Sequence, residues 1–474
     1  MVTGELKVLM LGWEFPPQIT GGLGTACEGL TRALAKKNIM IHFLMPHLYG
    51  NEAAGHMRLY DVKTGTSAGR DFGEAGASSV GPWRAQAGAR LERLGEVLLY
   101  GIPSALSPYL RPGELDDWED FATDDEASDL EASGDLPPTQ AGPPAPRRRR
   151  KKAFAPFRHL GASFDAGSPH YGDRLFDEVH RYCERALRIS SDLDFDVIHA
   201  HDWMTYPAAL LIADRSGKPC VIHVHSLESD RSGACKNEAI AQIERRSMQA
   251  ARRIIAVSQY TKDKIVEDYG IARNKITVVH NGIQERTRAN KARAKGDRLN
   301  VLFLGRVTFQ KGPDYFVEAA LQALKTVPEA RFILAGEGDM LERLRRRVRD
   351  ARKEDSFSMP GFLKGREVDE AFAKADLYVM PSVSEPFGIS ALEALYYDVP
   401  AIVSRQSGIS EVIRHALKAD FWDVDELANL IIGALKYPEL RRDLLLMAKQ
   451  EIRRLDWDAS ADNVMQAYMT VLTG

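Results

Sequence analysis

The sequence predicts an α/β protein made of two Rossmann-like doubly wound domains facing each other across a cleft. Three observations predict it. Short apolar strands alternate with helical patterns from the first residues, the signature of a parallel sheet covered by helices. The alternation stops at a polar basic stretch and then begins afresh. Finally, 474 residues is too long for one ordinary core, while 44% hydrophobic and 27% charged residues is a globular balance able to bury two.

Taken in order, a strand is expected over residues 7–12, a helix over about 22–37 and a strand over 39–45. The pattern resumes with strands over 196–200, 220–225, 254–258 and 276–280, separated by helices such as 238–252. Residues 284–298 carry Arg, Lys, Ala, Asn and Gly without an apolar stripe and read as a linker. The second set has strands over 300–305, 331–336, 357–363, 376–381 and 401–404, with helices over 313–324 and 388–396. The last segment, 457–472, places Ala461, Val464, Met465, Tyr468 and Val471 on one helical face. The expected partition is therefore an N-terminal domain over 1–290, a C-terminal domain over 291–456 and a terminal helix over 457–474. Between about 111 and 170 the first domain is interrupted by a segment that is first acidic, then proline-rich, and ends in the basic run 147–152. Such a composition cannot bury a core and is expected to be a disordered insertion.

A formal net charge of -3 gives no global attraction to nucleic acid or to an anionic membrane. Cys27, Cys183, Cys220 and Cys235 lack any Cys-x-x-Cys or Cys/His ligand spacing, which fits a reducing compartment rather than a disulfide framework or zinc site. The residues after Met1 do not read as a cleavable leader, so none is expected, and no apolar run reaches transmembrane length. A cytoplasmic protein is expected, with no transmembrane segment; its oligomeric state is left open.

Five motifs fall at strand ends, where open α/β sheets bind ligands. The first is Trp13-Glu14-Phe15-Pro16-Pro17 with Gly21-Gly22-Leu23-Gly24, whose glycines let backbone N–H groups approach an anion at the helix terminus. It matches neither a dinucleotide fingerprint nor a P-loop. The next two are His199-Ala200-His201-Asp202-Trp203 and His223-Val224-His225-Ser226. Period-two alternation puts each histidine pair on one sheet face, so at most one of each pair is expected to touch ligand. Four histidines could make a metal site, but no carboxylate cluster supports one, and no metal is expected. The fourth is Gly305-Arg306 followed by Gln310-Lys311-Gly312, two cations suited to a pyrophosphate leaving with negative charge. The fifth, Glu385-Pro386-Phe387-Gly388-Ile389-Ser390-Ala391-Leu392-Glu393, opens a helix whose N–H groups can hold phosphate between two carboxylates able to accept from sugar hydroxyls.

With these motifs the chain resembles the retaining group 1 glycosyltransferases of GT-B fold, the family of glycogen, starch and sucrose synthases. Its glycogen synthase-like members look nearest. The resemblance spans all but the insertion, and Glu385-x7-Glu393 after Arg306 and Lys311 is its most specific part. It implies that Arg306 and Lys311 hold the donor diphosphate, with Gly21 and Gly22 and the Gly388, Ile389 and Ser390 turn against the phosphates. It implies further that Glu385 binds the transferred sugar, Glu393 the donor ribose, and Gly361, Phe362 and Leu363 the nucleobase. By the same resemblance His225 lies near the reacting carbon, Asp202 lies on the acceptor side, and the last helix crosses back to the N-terminal domain near Trp457. The implied activity is transfer of a hexosyl group, glucosyl by this likeness, from a nucleotide diphosphate sugar to a carbohydrate such as an α-1,4-glucan. ADP- or UDP-glucose is the implied donor, and no cofactor or metal is needed. The chain departs from the pattern at Ile19, where bacterial and plant glucan synthases carry the lysine of Lys-x-Gly-Gly-Leu. Two Asp-x-Asp strings, at Asp192 and Asp194 and at Asp423 and Asp425, are expected to be surface carboxylates. Two other readings stay open: transfer to a glycolipid or small sugar, and a catalytically silent nucleotide-sugar-binding protein.

Overall fold

The computed structural model describes residues 6–16, 22–46, 57–61, 67–68, 90–94, 97–101, 175–233, 235–283 and 298–473. The expected insertion at 111–170 lies outside the described residues, as do Gly21 and most of the linker.

In chain order the first sheet and its helices are β1 (Lys7–Leu11), α1 (Gly22–Lys36), β2 (Met40–Met45), β3 (Met57–Asp61), β4 (Ser67–Ala68), β5 (Arg90–Leu94), β6 (Val97–Gly101), α2 (Leu175–Ser190), β7 (Val197–His201), α3 (Tyr206–Ser216), β8 (Cys220–Val224), α4 (Glu228–Ser232), α5 (Glu238–Ala250), β9 (Arg253–Ala256), α6 (Gln259–Tyr269) and β10 (Ile276–Val278). The second set is β11 (Asn300–Leu304), α7 (Pro313–Ala323), β12 (Arg331–Ala335), α8 (Leu341–Asp350), β13 (Phe357–Gly361), α9 (Arg366–Lys374), β14 (Leu377–Met380), α10 (Ile389–Tyr396), β15 (Ala401–Ser404), α11 (Ile409–Val412), β16 (Leu417–Ala419), α12 (Val424–Lys436), α13 (Pro438–Ile452) and α14 (Trp457–Thr473).

The second sheet is parallel throughout, in the order β13-β12-β11-β14-β15-β16. The first runs β10-β9-β8-β7-β1-β2-β6-β5-β3-β4 and is parallel as far as β6. Beyond β6 it adds an antiparallel edge, which departs from the purely parallel expectation. In both sheets the strand order reverses beside the first strand, between β1 and β7 and between β11 and β14. That reversal opens a crevice at the carboxyl ends of the strands, the place where such sheets bind ligands.

Strands buried on both faces should read as near-continuous apolar runs, and β7 and β8 are buried at every residue. One face of the first sheet packs Leu9, Ile198, Ile222 and Ile254 against α2, α3 and α5. On the other, Val8, Met10, Val197 and Val221 meet α1 and α14. The last helix therefore belongs to the core of the first domain, with Trp457, Val464, Tyr468 and Val471 buried there; the amphipathic pattern predicts a buried face, and the resemblance implied this side.

The approach of α14 is close. A Cβ on Gly29 of α1 would stand 2.1 Å from the Trp457 ring. Gly29→Val must push that ring aside, so the variant is expected to lose about 1–3 kcal/mol, the usual cost of overpacking. Its apparent melting temperature should fall by several degrees in a calorimetric scan. An unchanged scan would mean that the Trp457 contact does not constrain the docking of α14.

Candidate active site

A cavity of about 310 Å³ lies between the two sheets and is lined by residues from both. Its volume is that of a small-ligand site. From the first domain come Glu14 and Gly22 after β1, Asp202 and Trp203 after β7, and His225 after β8. The second domain supplies Arg306 and Lys311 after β11, Glu337 after β12, and Glu385 with Ser390 after β14. Ile389, Gly388, Glu393, Phe362 and Leu363 also line it. Gly361 stands one residue outside the lining, its carbonyl accepting from Gly336 N–H at 2.8 Å. Of the sequence-predicted residues only Gly21 is outside the description.

The cationic side is preorganised. Lys311 Nζ donates to Glu385 Oε2 at 2.5 Å, and Ser382 Oγ donates to the same oxygen at 3.3 Å. Arg306 donates to Gln310 Oε1 at 2.9 Å, and Gln310 donates on to Ser384 O at 3.2 Å, which ties the turn after β11 to the turn after β14. Gly388, at φ 112°, takes a backbone form that only glycine adopts readily, and it opens α10. Tyr378 OH donates to Ser390 Oγ at 2.8 Å and fixes the first turn of that helix. Two cations and a helix N-terminus beside two carboxylates can hold an anion and a polyhydroxyl group together.

On the opposite wall Asp202 sits at φ 59°, in left-handed backbone rare for a non-glycine residue. Its carboxylate accepts from His225 N–H at 2.7 Å and Ser226 N–H at 3.3 Å, so it shapes the turn that presents His225. Burial pushes its carboxyl up to about 6, while Arg231 and the two N–H donors oppose that rise. The four histidines form a stack on the α14 side of β7 and β8, and among them only His225 lines the cavity. His199, His201 and His223 each offer a nitrogen within 4.8 Å of the others. The His199 and His223 rings lie within 8° of parallel, with Nε2 of one 3.2 Å from Nδ1 of the other. That separation is a hydrogen-bonding distance between two ring nitrogens. Neither Asp-x-Asp string lines the cavity: Asp194 pairs with Lys7 before β7, and Asp423 caps α12.

Sequence reasoning missed the charged seam behind His225. Asp230 Oδ1 accepts from Ser384 Oγ of the second domain at 2.6 Å and from Lys264 Nζ at 2.5 Å. Arg231 lines the cavity and donates to buried Glu244 at 2.9 Å. The only sequence sign of it was the charged run Glu228-Ser229-Asp230-Arg231 one residue after the histidine motif, which does not point to Lys264 or Ser384.

The chain matches the family model "Glycosyl transferases group 1" over residues 284–450, "Glycosyltransferase Family 4" over 139–286 and "Starch synthase catalytic domain" over 7–122. It is 30% identical over 305 residues to an uncharacterised glycosyltransferase of Methanocaldococcus jannaschii, an alignment covering 60% of this chain and 78% of that protein. The chain is a group 1 glycosyltransferase. This glycosyltransferase is also 28% identical to the glycogen synthase of Mycobacterium tuberculosis, over 59% of this chain and 70% of that one. Its fold matches sucrose-phosphate synthase from Thermosynechococcus elongatus over 99% of both chains, with a TM-score of 0.67 at 16% identity. The GT-B fold and transferase activity expected from the motifs hold. Among the described residues no helix is long and apolar enough to cross a membrane.

The Asp202 carboxyl gives the glycosyltransferase a pH signature. A carboxyl raised on folding contributes stability below the unfolded value near 4 that is lost as pH rises through about 6. Asp202→Asn keeps an acceptor for His225 N–H, and asparagine tolerates the left-handed backbone. The variant should gain stability over the parent between pH 4 and 7, by about 1–3 kcal/mol, and level off above. Paired thermal scans across pH check this; a difference that does not vary with pH contradicts it.

Proposed function

We propose that this glycosyltransferase moves a hexosyl group, glucosyl first among candidates, from a nucleotide diphosphate sugar to a carbohydrate hydroxyl with retention at the anomeric carbon. The observation that carries the reading is the set Arg306, Lys311, Glu385 and the N-terminus of α10 converging on one end of the cavity. The donor diphosphate lies on Arg306, Lys311 and the helix N–H groups, so fixed charges meet the negative charge that develops as the C1–O bond to the β-phosphate breaks. Glu385 accepts from hydroxyls of the transferred sugar and Glu393 from the ribose, with the base toward Phe362 and Leu363.

The acceptor hydroxyl enters from the side of Asp202 and His225. Its oxygen bonds to C1 on the face the diphosphate leaves, and its proton passes to the departing phosphate oxygen. No resident metal or cofactor takes part in this reading, and the protein works in the cytoplasm. Its likeness to glycogen synthase favours an α-1,4-glucan as acceptor. The fold-level likeness to sucrose-phosphate synthase makes small sugar phosphates the next acceptors to try.

The test is a panel of ADP-glucose, UDP-glucose and GDP-mannose offered with glycogen and with small sugar phosphates in the presence of EDTA, the anomeric product being read by NMR. We expect an α-linked product from one glucose donor, and a loss of kcat/KM of about a hundredfold or more in Lys311→Ala and in Glu385→Ala. A β-linked product overturns retention. Activity abolished by EDTA overturns fixed-cation catalysis, and full activity in both variants overturns the assignment of the site.

A further inference from the structure

The buried histidines behind His225 fix which hydrogen-bonding role its ring can play. His201 Nδ1 lies 2.9 Å from His225 Nε2, and His199 Nε2 lies 3.2 Å from His223 Nδ1. His199 Nδ1 in turn lies 2.6 Å from the hydroxyl of Tyr468 on α14. Two atoms of this stack, His201 Nε2 and His223 Nε2, are buried with no partner among the described residues. Burial holds all four imidazoles below the ordinary histidine range, so each is neutral near pH 7 and carries one proton.

A neutral imidazole has one donor and one acceptor, so each close pair has only two proton arrangements. If His225 donated from Nε2, His201 would carry its own proton on Nε2, leaving an N–H buried and unmet. Orphaned buried N–H groups are rare in folded proteins. In the opposite arrangement His201 donates from Nδ1, its unmet atom is a lone pair, and the proton of His225 sits on Nδ1. That nitrogen is the one left for the cavity, where water or a ligand oxygen can accept.

We propose that His201 is a positioning residue that holds His225 in the Nδ1–H form, so that His225 offers the cavity a hydrogen-bond donor and not a general base. The part of this inference that concerns catalysis rests on the proposed function; the proton position does not. A donor facing the transferred sugar holds one of its oxygens without competing for the acceptor proton, which the departing phosphate takes.

The experiment is histidine-labelled nitrogen NMR on the full-length protein without ligand, with signals assigned through single variants. We expect His225 and His201 each to show a protonated-type Nδ1 and a lone-pair-type Nε2 across pH 6 to 9. His201→Asn places an amide donor where Nδ1–H stood and should preserve the His225 signature, whereas His201→Leu should leave His225 a mixture of both forms. In the transfer assay His201→Leu should lower kcat by about tenfold or more with KM little changed, and His201→Asn should restore most of it. A dominant Nε2–H form of His225, equal damage by both variants, or stoichiometric zinc that shifts these signals would each overturn the proposal. Because the spectrum needs no substrate, its result stands apart from success or failure of the transfer assay.

Discussion

The return of the last helix into the first domain is the constraint on which the rest of the molecule depends. The chain passes between the domains twice, once before β11 and once before α14, and the described start of the first passage lies against the second. Ile283 N–H donates to Leu455 O at 2.9 Å, and Ser460 Oγ donates to His280 O at 2.7 Å. With Trp457 against Gly29 and Tyr468 against His199, α14 ties the second domain to the sheet face behind the His225 side of the cavity. Two connections keep the strand ends of the two sheets opposed, which a cavity lined from both sheets requires.

Between the two domains the contacts are polar and specific. Glu411 of α11 accepts from the Gln259 and Tyr260 N–H groups at 2.7 and 3.1 Å, so a carboxylate of one domain completes the positive end of a helix in the other. Ser258 Oγ donates to Pro386 O at 2.6 Å, one residue from Glu385. Asp230 and Ser384 meet beside the same turn. The loop that carries Glu385 is thus held from the first domain, so the geometry around Glu385 depends on how the domains meet.

Most of the fold was legible in the sequence because parallel strands buried on both faces leave a strong apolar signal. Strand boundaries for β1, β7, β11 and β15 fall within a residue or two of expectation for that reason. The antiparallel edge was not legible: Arg90-Leu91-Glu92-Arg93-Leu94 has too little apolar content to stand out as a strand. Lys311, Glu385, Arg306 and His225 were legible because each follows a strand end, where the fold itself points side chains at a ligand. The Asp230, Lys264 and Ser384 seam was not, since its members lie up to 154 residues apart and only tertiary structure brings them together. Asp202 lines the cavity as its place at a strand end led one to expect, but its grip on the His225 backbone depends on a left-handed turn that the sequence does not announce.

The most direct test of the account is a crystal structure of the protein grown with a nucleoside diphosphate and EDTA. The account predicts the two phosphates on Arg306, Lys311 and the first turn of α10, with the ribose at Glu393 and the base against Phe362. A diphosphate bound elsewhere in the cleft, or held away from both cations, would contradict it.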